Sequence, residues 1–470
     1  MKKLLLVLFL CAAVLPVNAN LLDATKQGDT KAVAAAFSAG ETANQTDENG
    51  DPVFIYAVAN NYVDIVKQFI NAKVNVNVKD KEYGSTALMY ASVDGYNDIV
   101  KLLLDAGAKV NDVNNYNENA LIAAIGGNHT DIVKLLLAKK ANVNIVNNDG
   151  FTPLMFAIPN GNAEIVKLLL AKKAQVNAVS KENVSALIIA TDNGYTEIVK
   201  LLLAQKADPN IVTEEKDTAL SVATQNGNTE IVKLLLAQKA DPNFVNGEKD
   251  TPLQIAIKKG HTEIAKLLIA AGADLDIKDK DDWTPLMNTI KEGQTEISKA
   301  LLAASKNINA INKDNVSALM LATAAGNAEL VKLLLAKGAN PNIIEKEGHS
   351  ALMAASMQGN TEIAKALLAA GASVNTIDNE RANALMMASL QGNNDIVKVL
   401  IKAGADINAT DKDSWTALMY AAQNGHSEVI KTLLNEGAKV NAVSKKGKTA
   451  LDIAKKENQT EVVNILQNAK

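Results

Sequence analysis

Apolar positions along the chain recur in two registers. In the stretch DNVSALMLATAAGNAELVKLLLAKGANPN, residues 314–342, Ala318, Leu319 and Ala322 fall on one face of a short helix, and after Gly326 the residues Leu330, Val331, Leu333, Leu334 and Leu335 mark a longer one. A polar, extended loop follows, and the pattern then begins again. The leucine that opens the first helix recurs at Leu88, Leu121, Leu154, Leu187, Leu220, Leu253, Leu286, Leu319, Leu352, Leu385, Leu418 and Leu451, each 33 residues from the last. Phe54 and Leu21 extend the series upstream, with one extra residue in the KDKEYGST loop. Fourteen units of helix, turn, helix and loop predict an all-α solenoid, because one short helix pair cannot bury its own apolar face and must stack on the next.

The polar positions repeat with the same period. The turn between the helices holds Gly in most units, from Gly95 to Gly425, and Asn at Asn61, Asn128 and Asn458, the two residue types that best tolerate a left-handed backbone. Three positions later comes an acid such as Glu230 or Glu329, and three beyond that a Lys such as Lys233 or Lys332. These read as helix-terminus and i,i+3 charge pairs, not as general acids or bases. Ala three after each leucine lets helices approach closely, with Thr289 the one departure. Pro159 falls late in a first helix, and Ser305 stands where later units carry Gly and units four to seven carry Lys.

DGFTPLMFAIPNGNAEIVKLLLAKKAQVN and DSWTALMYAAQNGHSEVIKTLLNEGAKVN resemble the ankyrin-repeat family over essentially all of Asn20 to Lys470. The resemblance implies helix-turn-helix units joined by extended, β-hairpin-like fingers. The family's TPLH histidine never occurs; Met fills its slot at Met89, Met155, Met287, Met320, Met353, Met386 and Met419, which reads as a flexible apolar filler. The side-chain tie that the family's histidine makes to the loop is therefore absent. The expected organisation is a leader at 1–19 and one solenoid at 20–470, with an N-terminal cap unit at 20–46, repeats at 47–443 and a C-terminal cap unit at 444–470. Fourteen layers would make a rod on the order of 100 Å long.

The N-terminus, MKKLLLVLFLCAAVLPVNAN, has two lysines, an apolar run from Leu4 to Val17 and small residues before Asn20. This is a secretory leader of bacterial type with cleavage expected after Ala19, and its run is short for a membrane span. The mature chain would be periplasmic or secreted. Cys11 lies inside the leader, so nothing downstream offers a disulfide, a thiolate ligand or a Cys nucleophile. Without Lys2 and Lys3 the chain carries 46 basic against 52 acidic residues, and Arg381 is its only arginine. That balance argues against nucleic-acid binding.

No motif breaks the repeat to supply chemistry. His129, His261 and His426 occupy the turn slot, GKT at 447–449 lacks the upstream Gly of a phosphate loop, and DKDDW and DKDSW lack the Gly and Glu of a calcium loop. We therefore expect no catalytic residue, metal or cofactor. The resemblance places partner docking on a concave face of finger tips and first-helix ends. At the finger position, three before each opening leucine, lie Phe151, Trp283, His349 and Trp415; at the helix ends lie Ala324 and Ala325, Met357 and Gln358, Leu390 and Gln391. The expected partner site spans units nine to thirteen, with Trp283 and Trp415 as anchors and Ala325, His349, Met357 and Leu390 between them. The alternative for the tryptophans is local packing over a neighbouring finger. The reading is a monomeric, exported, non-enzymatic scaffold that binds a protein. An effector acting on a host protein, or an envelope rod without a discrete site, are the alternatives.

Overall fold

In the computed structural model the residues described are 20–469; the leader and its expected cleavage site lie outside them. Among these residues there are 28 α-helices and no sheet, only isolated antiparallel bridges such as Ile311 to Ser317 and Ile344 to Ser350 within the fingers. By internal packing the chain divides into two compact units, one ending at Ala240 and the other beginning at Asp241. Each is a run of helix pairs. In the first, for example, Ala87–Val93 pairs with Asn97–Asp105; in the second, Ala351–Gln358 pairs with Thr361–Ala369.

Local chemistry sets the helix starts. A Thr, Ser or Asn two residues before the opening leucine accepts a hydrogen bond from the third helical N–H, as at Thr86 with Met89, Asn119 with Ile122, Ser317 with Met320 and Asn383 with Met386. The methionine slot is buried throughout its seven occurrences. In two units its sulfur also takes the cap N–H, Thr86 to Met89 Sδ at 3.4 Å and Ser350 to Met353 Sδ at 3.5 Å. The turn residues have the left-handed backbone their identity implies, with φ 66° at Gly326, 60° at Asn128 and 57° at Asn61.

Neighbouring repeats are stitched through their loops. Within the first unit the Asn111 side chain accepts from Asn142 N–H at 2.7 Å and donates to the Lys140 carbonyl at 3.3 Å. Within the second, Asn342 accepts from Ser373 N–H at 2.7 Å and donates to the Gly371 carbonyl at 3.0 Å. The same rung recurs at Asn144, Asn177, Asn309, Asn375 and Asn408. Lys–Glu pairs between second helices, such as Lys134 to Glu164 at 2.7 Å, lie in solvent and add little.

Two departures alter single units. The helix Pro153–Ala157 ends two residues before Pro159; Ile158 keeps helical geometry, φ −76° and ψ −47°, but Pro159 has no N–H to continue the hydrogen-bond ladder, so this proline lies past the helix and not within it. At Ser305 the backbone is extended, φ −69° and ψ 142°, where Gly272, Gly338 and Gly371 have φ 88°, and the preceding helix Thr295–Ala304 is one residue longer than its neighbours. The same repeat carries Asp276 in the rung position, and Thr289 donates to the Leu286 carbonyl and accepts from Ser298 Oγ at 2.9 Å in the core.

Candidate protein-binding surface

Each finger is closed by one acceptor side chain, seven residues before the opening leucine except at Asp80, which lies eight before Leu88 because of the extra loop residue. Asp279 accepts from the N–H groups of Asp281 and Trp283 at 2.9 and 3.0 Å, and Asp411 from those of Asp413 and Trp415 at 2.8 and 2.7 Å. Glu345 takes those of Glu347 and His349, and Asn147 those of Asp149 and Phe151. These Asx-type turns fix the backbone of the residues expected to face a partner.

In the second unit, Trp283 is half-buried with the Lys291 ammonium 4.9 Å from its ring centroid, and Trp415 is half-buried against Tyr420 with centroids 5.2 Å apart. Both tryptophans thus pack on the first helix of their own repeat. Each finger also borders an open groove. One of about 460 Å3 is lined by Trp415, Tyr420, Gln423, Lys445, Lys446 and Lys448, and one of about 890 Å3 includes Asp279, Lys278 and Asn288 of the Trp283 repeat. Burial raises the Tyr420 hydroxyl well above its ordinary range, and its hydrogen bond to Asp411 at 2.6 Å adds to this.

His349 is exposed, with Nδ1 2.7 Å from Glu345 Oε1 and Nε2 3.5 Å from Asp378 Oδ2 on the next finger. Burial alone would raise Glu345, yet the N–H groups of Glu347 and His349 and the His349 ring hold its carboxyl below the usual range. Ala325, Met357 and Leu390 lie at the C-terminal ends of the first helices of three successive repeats, which pack side by side. Met357 is 49% exposed, Ala325 is exposed, and Leu390 is half-buried. The carbonyls of this row are capped by the following repeat: Gln358 Nε2 donates to Ala324 O, Asn393 Nδ2 to Ser356 O, and Asn424 Nδ2 to Leu390 O. His426 Nε2 also lies 2.9 Å from Leu390 O, which gives this turn-slot histidine a structural partner. Phe151 belongs to the first unit, half-buried with its ring centroid 5.9 Å from that of Phe156.

A column of branched residues eight before the opening leucine adds to this surface and lies outside the helical pattern. In the second unit Ile311, Ile344 and Ile377 are 36, 44 and 46% exposed on three successive fingers. Their signal was present as Val or Ile at a fixed offset, but finger residues read as extended loop carry no helical register to flag them.

Among the described residues no group of three or more His, Cys, Asp and Glu is placed to hold a metal ion, and no helix is long and apolar enough to cross a membrane. No curated protein matches the chain. The family model for ankyrin repeats (3 copies) matches residues 21–114, 110–180, 187–279, 271–345, 319–411 and 385–470, and that for ankyrin repeats (many copies) matches 160–203. Ankyrin repeats are generally protein–protein interaction modules, and proteins built of them are generally non-enzymatic scaffolds. With its paired helices, left-handed turns and closed fingers matched by these models along nearly its whole length, the chain belongs to the ankyrin-repeat family.

Proposed function

We propose that this protein is an exported, non-enzymatic scaffold that binds another protein through the finger and helix-end surface of its second unit. The exposed column of Ile311, Ile344 and Ile377 on three successive fingers, with the exposed Met357 at a helix end, carries this reading, because large apolar side chains left in solvent on successive repeats are more than solubility needs and mark docking sites. Trp283 and Trp415 are its aromatic anchors, held at their fingers by Asp279 and Asp411, with Ala325, His349 and Leu390 between them. Aromatic residues set in partly desolvated positions account for much of the energy of protein interfaces. The leader sequence supports a periplasmic or secreted location.

The test is capture from the envelope and medium of the source organism on immobilised chain 20–470, beside the Trp283→Ala, Trp415→Ala double variant. One protein held in stoichiometric amount by the parent and lost with the folded double variant is the expected result. Equal capture by both chains removes the tryptophans from the site. Weak, unspecific retention by both favours a structural rod with contacts spread over every repeat.

A further inference from the structure

The N-terminal repeats of the first unit contain a gap that the chain fills once and then leaves open. In the first gap, Lys26, five residues after Leu21, places its ammonium 4.9 Å from the ring centroid of Tyr56, two residues after Phe54. In the next gap the same two positions are Ala59 and Tyr90. Ala59 is too short to reach, and a pocket of about 180 Å3 remains, lined by Tyr56, Tyr83, Tyr90, Asp51, Asp80 and Glu82. Tyr83 is 41% exposed at its mouth, and the exposed Tyr116 stands on the next finger, whose Asn115 N–H donates to the Tyr83 carbonyl at 2.9 Å.

The walls of this pocket are suited to a cation. Aromatic faces attract an ammonium or guanidinium through the ring quadrupole, and carboxylates at the rim strengthen that attraction. The aromatic walls are fixed: Tyr90 hydroxyl donates to Asp80 Oδ2 at 3.3 Å, Asp80 accepts from the N–H groups of Tyr83 and Ser85, and Tyr56 hydroxyl donates to Asp47 at 2.8 Å. Among the described residues Asp51, Asp80 and Glu82 have no lysine or arginine side chain as ion-pair partner; the Asp51 carboxylate accepts only from Lys81 N–H, and that of Asp80 from the two N–H groups and the Tyr90 hydroxyl. The same residues are not placed as a metal site. The chain's own Lys26 on Tyr56 is the example of what the position accepts.

We propose that this pocket takes the side-chain cation of a lysine or arginine on a partner protein, held against Tyr83 and Tyr90 and balanced by Asp51, Asp80 and Glu82. The proposal shares with the preceding section the premise that the partner is a protein, but it concerns a different surface in the other unit and is tested without that partner.

The probe is Nα-acetyl-lysine methylamide, titrated into the full chain 20–470 labelled with 3-fluorotyrosine and followed by fluorine NMR; Tyr83→Phe and Tyr90→Phe assign the resonances. The lysine amide is expected to shift the Tyr83 and Tyr90 signals saturably, whereas the uncharged Nα-acetyl-norleucine methylamide leaves them in place. Ala59→Lys, which puts a tethered ammonium where Lys26 sits one repeat earlier, is expected to abolish the response, and Tyr83→Ala to weaken it at least fivefold. Tyr83 is exposed, so its loss leaves the core intact, and the melting transition of each variant checks this. Equal shifts with both amides, no saturable shift with either, or a full response in Ala59→Lys each overturns the proposal. None of these results depends on capture by the second unit, so the two readings fail separately.

Discussion

Tyr90 and Tyr420 show how one residue's position sets its chemistry. Each follows its opening leucine by two, so its ring lies against the fingers and its hydroxyl reaches the acceptor that closes its own finger, Asp80 or Asp411. Burial pushes the Tyr90 hydroxyl up to about 12, with Asp80 adding to the shift. An unfolded tyrosine ionises near 10. The folded chain therefore keeps a proton that the unfolded chain releases, and the stabilisation is complete below pH about 10 and lost as pH rises through about 12. Between those values the melting temperature of Tyr90→Phe is expected to fall less steeply than that of the parent, followed by circular dichroism, with tyrosinate absorbance reporting ionisation. Identical slopes would contradict the assignment. The turn residues were legible in the sequence, because Gly and Asn at a fixed place already imply a positive φ, and so was the buried methionine slot. The pairing of Tyr56 with Lys26 was not, since it joins residues 30 apart in sequence through space between two repeats.

At the scale of the element, the short first helix and the longer second helix followed from periodicity, whereas the Thr, Ser or Asn that caps every first helix from Leu88 onward did not, because a cap lies outside the apolar register. The asparagine rungs did not, because their partners are backbone groups about 30 residues downstream, which no helical or strand period reports. The repeat holding Asp276 and Ser305 shows what a missing rung does. Asp276 has no side-chain N–H to give, and the extended backbone at Ser305 replaces the left-handed turn that presents a carbonyl in the neighbouring repeats. An Asp276→Asn, Ser305→Gly double variant is expected to restore the rung and stabilise the second unit by about 1–2 kcal/mol, from two hydrogen bonds at the usual net value each. A higher urea midpoint with slower amide exchange at residues 305–309 would show it. An unchanged midpoint would place the weakness of this repeat elsewhere, in the Thr289 and Ser298 hydroxyls of its core.

For the whole molecule, a chain of near-identical repeats leaves function to the positions the frame does not use. Within each unit the main packing is between a helix, its own partner and the equivalent helices of the adjoining repeats, as expected of a solenoid whose stability is summed over neighbours. The family was legible from end to end because the period, the turns and the apolar faces repeat without insertion after Leu88. The surface was legible only where a residue was conspicuous by type: Trp283, Trp415 and His349 stood out, whereas Ile311, Ile344 and Ile377 were hidden by being the ordinary choice in an extended segment. The central claim, a discrete protein-binding surface on the second unit, is tested most directly by site-specific photo-cross-linking in the source organism. Benzoylphenylalanine is placed in turn at Met357 on the helix-end row and at Lys365, exposed on the paired helix Thr361–Ala369. A single protein adduct from position 357 and none from 365 is the predicted result; equal adducts from both positions, or none from either, would contradict it.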